Sequence, residues 1–201
     1  MLILGLTGSI GMGKTTVANM FRQAGIPVHD SDAVVHSLYA GDAVPLIEAS
    51  FPGTTRSRAV DRALLGQLVL GNAAAMKKLE DIVHPMVARH RKQFLLEAFA
   101  QGHECVVLDI PLLFETGAEG LVDRIIVVSA SPAIQRARVL ARQGMSAEKF
   151  DQILTRQLPD AEKRDRADFV IHTDFPKDQT RRQVQQVIRE CAEIQGAKYR
   201  A

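Results

Sequence analysis

Between residues 8 and 16 the chain reads GSIGMGKTT, which places three glycines ahead of a lysine and two hydroxyl side chains. Residues 8–15 satisfy the phosphate-loop template GxxxxGK[ST]. Glycines allow backbone amides to curl around phosphate oxygens, and a helix N-terminus beyond them adds the positive end of its dipole. The expected nucleotide contacts are Gly8, Gly11, Met12, Gly13, Lys14, Thr15 and Thr16, with Lys14 bridging the outer phosphates. The Thr15 hydroxyl is placed to reach a Mg²⁺ carried on those phosphates. By chance the template should arise in roughly one chain of this length in a hundred.

Other candidates follow downstream. Asp30 and Asp32 flank Ser31; in an extended segment their carboxylates would point the same way, about 7 Å apart. Such a pair suits deprotonation of a hydroxyl nucleophile or the holding of metal-bound water. The competing expectation is a helix cap plus a loop acid, with Asp32 the cap because it precedes an apolar helical run. Asp109 ends the apolar run CVVLDI, where nucleotide-binding α/β proteins place an acid near Mg²⁺. Residues 136–166 hold eight Lys or Arg against five Asp or Glu, a surplus above the chain's net +2. They suit a mobile lid over a transferring phosphoryl group. His84, before Pro85, could contact a ligand at a helix break.

These residues need elements to hold them. An apolar run (Leu2, Ile3, Leu4, Leu6) predicts a strand ahead of the loop, and Val17, Met20, Phe21 and Ala24 predict a helix behind it. A strand over 26–29 then delivers the two acids. Residues 53–61 read as polar, and a long amphipathic helix over 76–98 is expected to kink or break near His84 because Pro85 lacks an amide hydrogen. Strands are expected at 105–110, 124–129 and 169–172, with a final helix over 180–194. Strands alternating with helices make the fold class α/β, a three-layer arrangement with a parallel sheet covered on both faces.

The 201 residues suffice for a full hydrophobic core. Near-neutral charge gives no reason to expect a nucleic-acid or membrane partner. Cys105 and Cys191 lack metal-ligand spacing and read as reduced core residues. The apolar start is too short for a signal sequence, so the expected location is cytoplasmic. A GTP switch would need NKxD, but Asn19 and Asn72 are the only asparagines and neither precedes lysine. An LSGGQ-like transporter signature is also missing. A kinase of nucleoside monophosphates or other small hydroxyl compounds, and a nucleotide-binding partner protein, stay open at this point.

Over nearly its whole length the sequence resembles the dephospho-coenzyme A kinase family. The resemblance rests on TGSIGMGKTT, on HDSD at residues 29–32, on VDR at 60–62, on LEDIVHP at 79–85, on DIPLLFETG at 109–117 and on RQGMS at 142–146. It implies transfer of the γ-phosphoryl group of ATP, with Mg²⁺, to the ribose 3′-hydroxyl of dephospho-coenzyme A. On that resemblance Asp32 is the general base, Lys14 and the loop bind ATP, and Arg142 is the lid arginine on the triphosphate. Asp32, Arg62, His84, Leu112, Leu113 and Phe114 would meet the acceptor. The implied parts are a nucleotide core (1–32, 104–135, 167–201), a helical acceptor-binding insertion (33–103) and a helical lid (136–166). Ser9 and Thr15 depart from the usual glycine and serine while keeping backbone shape and hydroxyl. His29 stands where an aliphatic residue is usual, and residues 170–174 lack the asparagine common after the last strand.

Overall fold

Six consecutive buried residues open the chain as β1 (Leu2–Thr7), a continuous apolar run suited to a strand covered on both faces. The computed structural model describes residues 1–194; the stretch of the expected core beyond 194 lies outside the described residues. After β1 come α1 (Lys14–Gln23), β2 (Val28–Asp30), α2 (Ser31–Leu38), α3 (Val44–Ser50), β3 (Thr55–Arg56), β4 (Ala59–Val60), α4 (Arg62–Val69) and α5 (Ala73–Ala100). The chain continues through β5 (Cys105–Asp109), β6 (Arg124–Ser129), α6 (Pro132–Leu140), α7 (Ala147–Leu154), α8 (Asp160–Asp165), β7 (Phe169–His172) and α9 (Lys177–Ala192).

Five strands form one sheet in the order β2-β5-β1-β6-β7. β1 runs parallel to β5, with Leu2 opposite Cys105, and to β6, with Leu4 opposite Arg124; β6 runs parallel to β7. The loop after β1 therefore leaves the C-terminal edge of a central strand, the edge at which open parallel sheets gather ligands.

The contacts divide the chain into two compact units. Among the described residues the first comprises residues 1–29 and 98–194, and the second residues 30–97. In the first, Leu4, Leu6, Val17, Phe21, Val128, Ile171, Val184 and Val187 belong to one buried cluster, so α1 and α9 pack on the sheet through their apolar stripes. The arginine-rich stretch belongs to this unit. The second unit has its own core of Ala43, Ile47, Phe51, Val60, Leu65, Val69, Leu79 and Val83.

Three local expectations are corrected. β2 lies two residues later than expected, and helix α2 begins at Ser31, so the acids no longer share an extended segment. Residues 55–60 form a small antiparallel hairpin where a polar stretch was expected. The helix does not break at His84: α5 runs 28 residues with Pro85 inside it. His84 and Pro85 are exposed, so the carbonyl that loses its amide partner can be hydrated. The buried Leu79 and Val83 hold the preceding turns against the core.

Candidate active site

The phosphate loop is shaped by close backbone approaches. A Cβ on Gly8 would lie 2.7 Å from the Val128 carbonyl oxygen, so only glycine lets the loop leave β1 against β6. Gly13 caps α1 in the left-handed region (φ 94°), and no side chain caps that helix. Met12 N–H donates to the Ser9 carbonyl (3.2 Å). The Thr173 hydroxyl donates to the Met12 carbonyl (2.7 Å), and Arg138 donates to both the Thr173 hydroxyl (2.8 Å) and its carbonyl (2.6 Å). Among the described residues the amides of Gly11, Gly13, Lys14 and Thr15 have no acceptor within the protein. An uncapped helix start with free amides is an anion site.

Lys14 Nζ donates to Asp109 Oδ1; the carboxylate side chain is 3% exposed and the lysine 17%. The two residues expected from separate sequence signals are thus one ion pair beside the loop. Thr15 and Thr16 are exposed in the first turn of α1. A hydroxyl and a carboxylate are oxygen donors of the kind Mg²⁺ accepts, and Mg²⁺ commonly keeps several waters and binds through substrate phosphates. Among the described residues no group of three or more His, Cys, Asp or Glu could hold a metal by itself. The residues present fit an ion that arrives on nucleotide phosphates with one or two protein ligands.

The basic stretch sorts itself by partner. Arg136 pairs with Asp151, Arg164 with Asp160 and Arg166 with Glu119, while Lys163 pairs with Glu115. Lys149 donates to the Gly144 carbonyl, and Arg138 is taken by Thr173. Arg142 and Arg156 are left as the basic side chains of this stretch without a protein partner among the described residues. Arg142 follows the end of α6 and is exposed. Arg138, counted among the basic residues of the expected lid, instead donates to Thr173 beside the phosphate loop.

In the second unit the two acids have separate jobs. Asp30 is the N-cap of α2, accepting from Ala33 N–H (2.9 Å), whereas Asp32 is exposed in the first helical turn with no protein partner among the described residues. The paired-carboxylate geometry is thereby replaced by one cap and one available carboxylate. Asp61 caps α4 through the amides of Ala63 and Leu64. Arg62 then reaches His36 Nδ1 (3.2 Å) and lies over the Tyr39 ring (5.6 Å to its centroid). Burial raises the Tyr39 hydroxyl pKa against the lowering effect of the Arg62 charge. His36, one helical turn beyond Asp32 and so on the same face of α2, was missed because an isolated histidine in a helical pattern carries no motif.

Comparison with known proteins decides the family. The dephospho-CoA kinase family model matches residues 2–179. The dephospho-CoA kinase of Rhodopseudomonas palustris strain HaA2 is 55% identical over 194 residues, covering 96% of this chain and 98% of that protein. The chain belongs to the dephospho-CoA kinase family. It is a kinase that uses ATP, and its reaction is the last step of coenzyme A biosynthesis. The crystal structure of TT1252 from Thermus thermophilus superposes with a TM-score of 0.81 at 35% identity, covering 94% of this chain and 97% of that one. A dephospho-CoA kinase from Campylobacter jejuni, at 24% identity and TM-score 0.65, covers 94% of this chain and 96% of its own and shares the fold.

Within this kinase the run at residues 111–115 serves largely as structure. Leu113 is fully buried and sits against Gly5 of β1, where a Cβ would meet its Cδ1 at 2.7 Å. Phe114 is 7% exposed under the Arg166 guanidinium, 4.4 Å from its ring centroid. This burial leaves Leu112, 41% exposed, as the apolar surface of the run. Glu115 accepts from Leu158 N–H (2.8 Å) and pairs with the fully buried Lys163 (2.7 Å). Burial would raise its pKa, but the hydrogen bond from Lys163 and the Leu158 amide outweigh it and hold the carboxyl below the usual glutamate value.

Proposed function

We propose that the chain transfers the γ-phosphoryl group of ATP to the 3′-hydroxyl of the dephospho-CoA ribose, giving coenzyme A and ADP, with the division of labour that follows. The amides of Gly11, Gly13, Lys14 and Thr15, together with the Lys14 ammonium, bind the triphosphate; Gly8, Met12 and Thr16 shape and extend that cradle. Lys14 carries positive charge to the outer phosphates while Asp109 orients it. Thr15 and Asp109 are the ligands the protein offers Mg²⁺, which when bound neutralises phosphate charge and polarises the γ-phosphoryl group. Arg142, lacking a competing carboxylate, supplies further positive charge where negative charge develops in transfer.

Asp32 accepts the proton of the acceptor hydroxyl. The observation that carries this assignment is the contrast within the acid pair: Asp30 is spent on a helix cap, and Asp32 is exposed without a protein partner. Arg62, held by His36 and Tyr39, suits an anionic group of the acceptor, and the exposed His84 and Leu112 add polar and apolar contacts. Residues 33–103 act as the acceptor-binding insertion and 136–166 as the lid on the nucleotide core. No helix among the described residues is long and apolar enough to cross a membrane.

A coupled ADP-release assay tests the reading, with dephospho-CoA set against nucleosides and nucleoside monophosphates. Release that depends on dephospho-CoA and is at background with the others is expected. Comparable turnover on a nucleoside monophosphate would replace the acceptor assignment.

A further inference from the structure

Both backbone groups of one phosphate-loop residue are held by glutamine side chains. Ile10 N–H donates to Gln157 Oε1 (3.1 Å), and Gln135 Nε2 donates to the Ile10 carbonyl (2.8 Å). Gln135 is 6% exposed on α6, and Gln157 lies in the turn after α7. The segment bearing Gln157 is pinned on its other side. Leu158 N–H donates to Glu115, Glu115 pairs with the fully buried Lys163, and the Ser129 hydroxyl donates to Asp160 (2.7 Å).

Neither glutamine can act as acid or base, and each spends its polar head on the loop backbone. We infer that Gln135 and Gln157 are positioning residues, a clamp that fixes Ile10 so that the next free amides converge on one phosphate group before nucleotide arrives. The Ile10 amide is itself already engaged, so it is not among the phosphate donors. Loop amides that must order on binding weaken affinity by the cost of that ordering, and a preorganised loop avoids it. The anchor through Glu115 and Lys163 ties the clamp to the end of the basic stretch, so the geometry of the loop and the seating of residues 157–163 depend on each other.

This inference rests on the phosphate loop binding ATP. Isothermal titration with ATP in the absence of acceptor is compared for the wild type, Gln157→Met, Gln135→Met and the double variant. Amide hydrogen exchange at Ile10 is followed in the nucleotide-free proteins, at a temperature where each stays folded. Each single substitution is expected to weaken ATP binding about tenfold, the scale of one lost partly buried hydrogen bond. The double variant should weaken it by much less than the product of the singles, because both act through one residue. Affinity for dephospho-CoA should stay within about twofold of the wild type, on the same scale. Gln157→Met should lose protection at Ile10, and Gln157→Glu, which keeps an acceptor oxygen at the same reach, should retain it.

Unchanged ATP affinity, multiplicative losses, equal losses for dephospho-CoA, or protection at Ile10 that ignores residue 157 each overturn the clamp. A wild-type protein that fails to bind ATP would instead remove the functional reading beneath it.

Discussion

At the scale of single residues, the informative contrast is between neighbours that share a chemistry and not a role. Asp30 and Asp32 look equivalent in the sequence; backbone geometry separates them, since a helix starting at Ser31 makes the first a cap and leaves the second exposed. Asp32→Asn is expected to leave ATP binding intact and lower turnover by about a hundredfold or more, the scale of lost general-base assistance. Titration of ATP beside a steady-state assay checks this, and unchanged turnover removes Asp32 as the base. Asp30→Ala should cost about 1 kcal/mol of stability, as a lost N-cap does. Lys14→Ala should abolish transfer with the fold retained, and also lower stability by about 1–3 kcal/mol because the buried Asp109 carboxylate loses the compensating charge of the Lys14 ammonium. Adding Asp109→Asn to that variant should return part of the stability and none of the transfer, read by thermal melts and the coupled assay.

At the scale of elements, periodicity made the long strands and helices legible, and small local exceptions escaped it. Pro85 was read as a kink or a break because it costs one backbone hydrogen bond; α5 runs on through it, since the apolar stripe continues on both sides in Leu79, Val83, Met86 and Val87. The hairpin at 55–60 was hidden because its turn uses Ser57 (φ 50°) and Arg58 (φ 64°) where Asn-Gly would announce it. Ser57→Asn with Arg58→Gly should therefore raise stability by about 0.5–1 kcal/mol in urea unfolding, since both residues now hold a left-handed conformation that L side chains disfavour. The Glu115–Lys163 anchor was equally illegible, joining residues 48 apart that no periodic pattern connects. Because the folded Glu115 carboxyl titrates below its unfolded value, near 4.3, its contribution is complete above that value. It is lost as pH falls from there through the lowered folded value. The stability gap between wild type and Glu115→Gln should accordingly shrink as pH falls below about 4.3, measured by urea midpoints.

At the scale of the whole molecule, the phosphate loop, the parallel sheet and the family signatures were readable from residue order. The partners that finish the loop were not, since Thr173, Gln135 and Gln157 reach it only through the fold. The free cysteines were legible in type, and in the structure Cys191 is buried and Cys105 partly so. Burial pushes the Cys105 thiol up to about 12 and Cys191 to about 11. Iodoacetamide at pH 8 should label neither until denaturant unfolds the chain; rapid labelling of the native protein would contradict that burial.

The hydroxyl of Thr173 grips the carbonyl of Met12 across 161 positions of sequence, and this bears on synthesis as well as catalysis. The ribosome makes the phosphate loop first, but β5, β6 and β7 must all have emerged before β1 has its neighbours and the loop its last support. A nascent chain arrested with residue 168 just clear of the exit tunnel should pass through an ATP-affinity resin. One arrested after α9 has cleared should be retained. Retention of the shorter chain would show that the loop grips nucleotide without the Thr173 hydroxyl on the Met12 carbonyl.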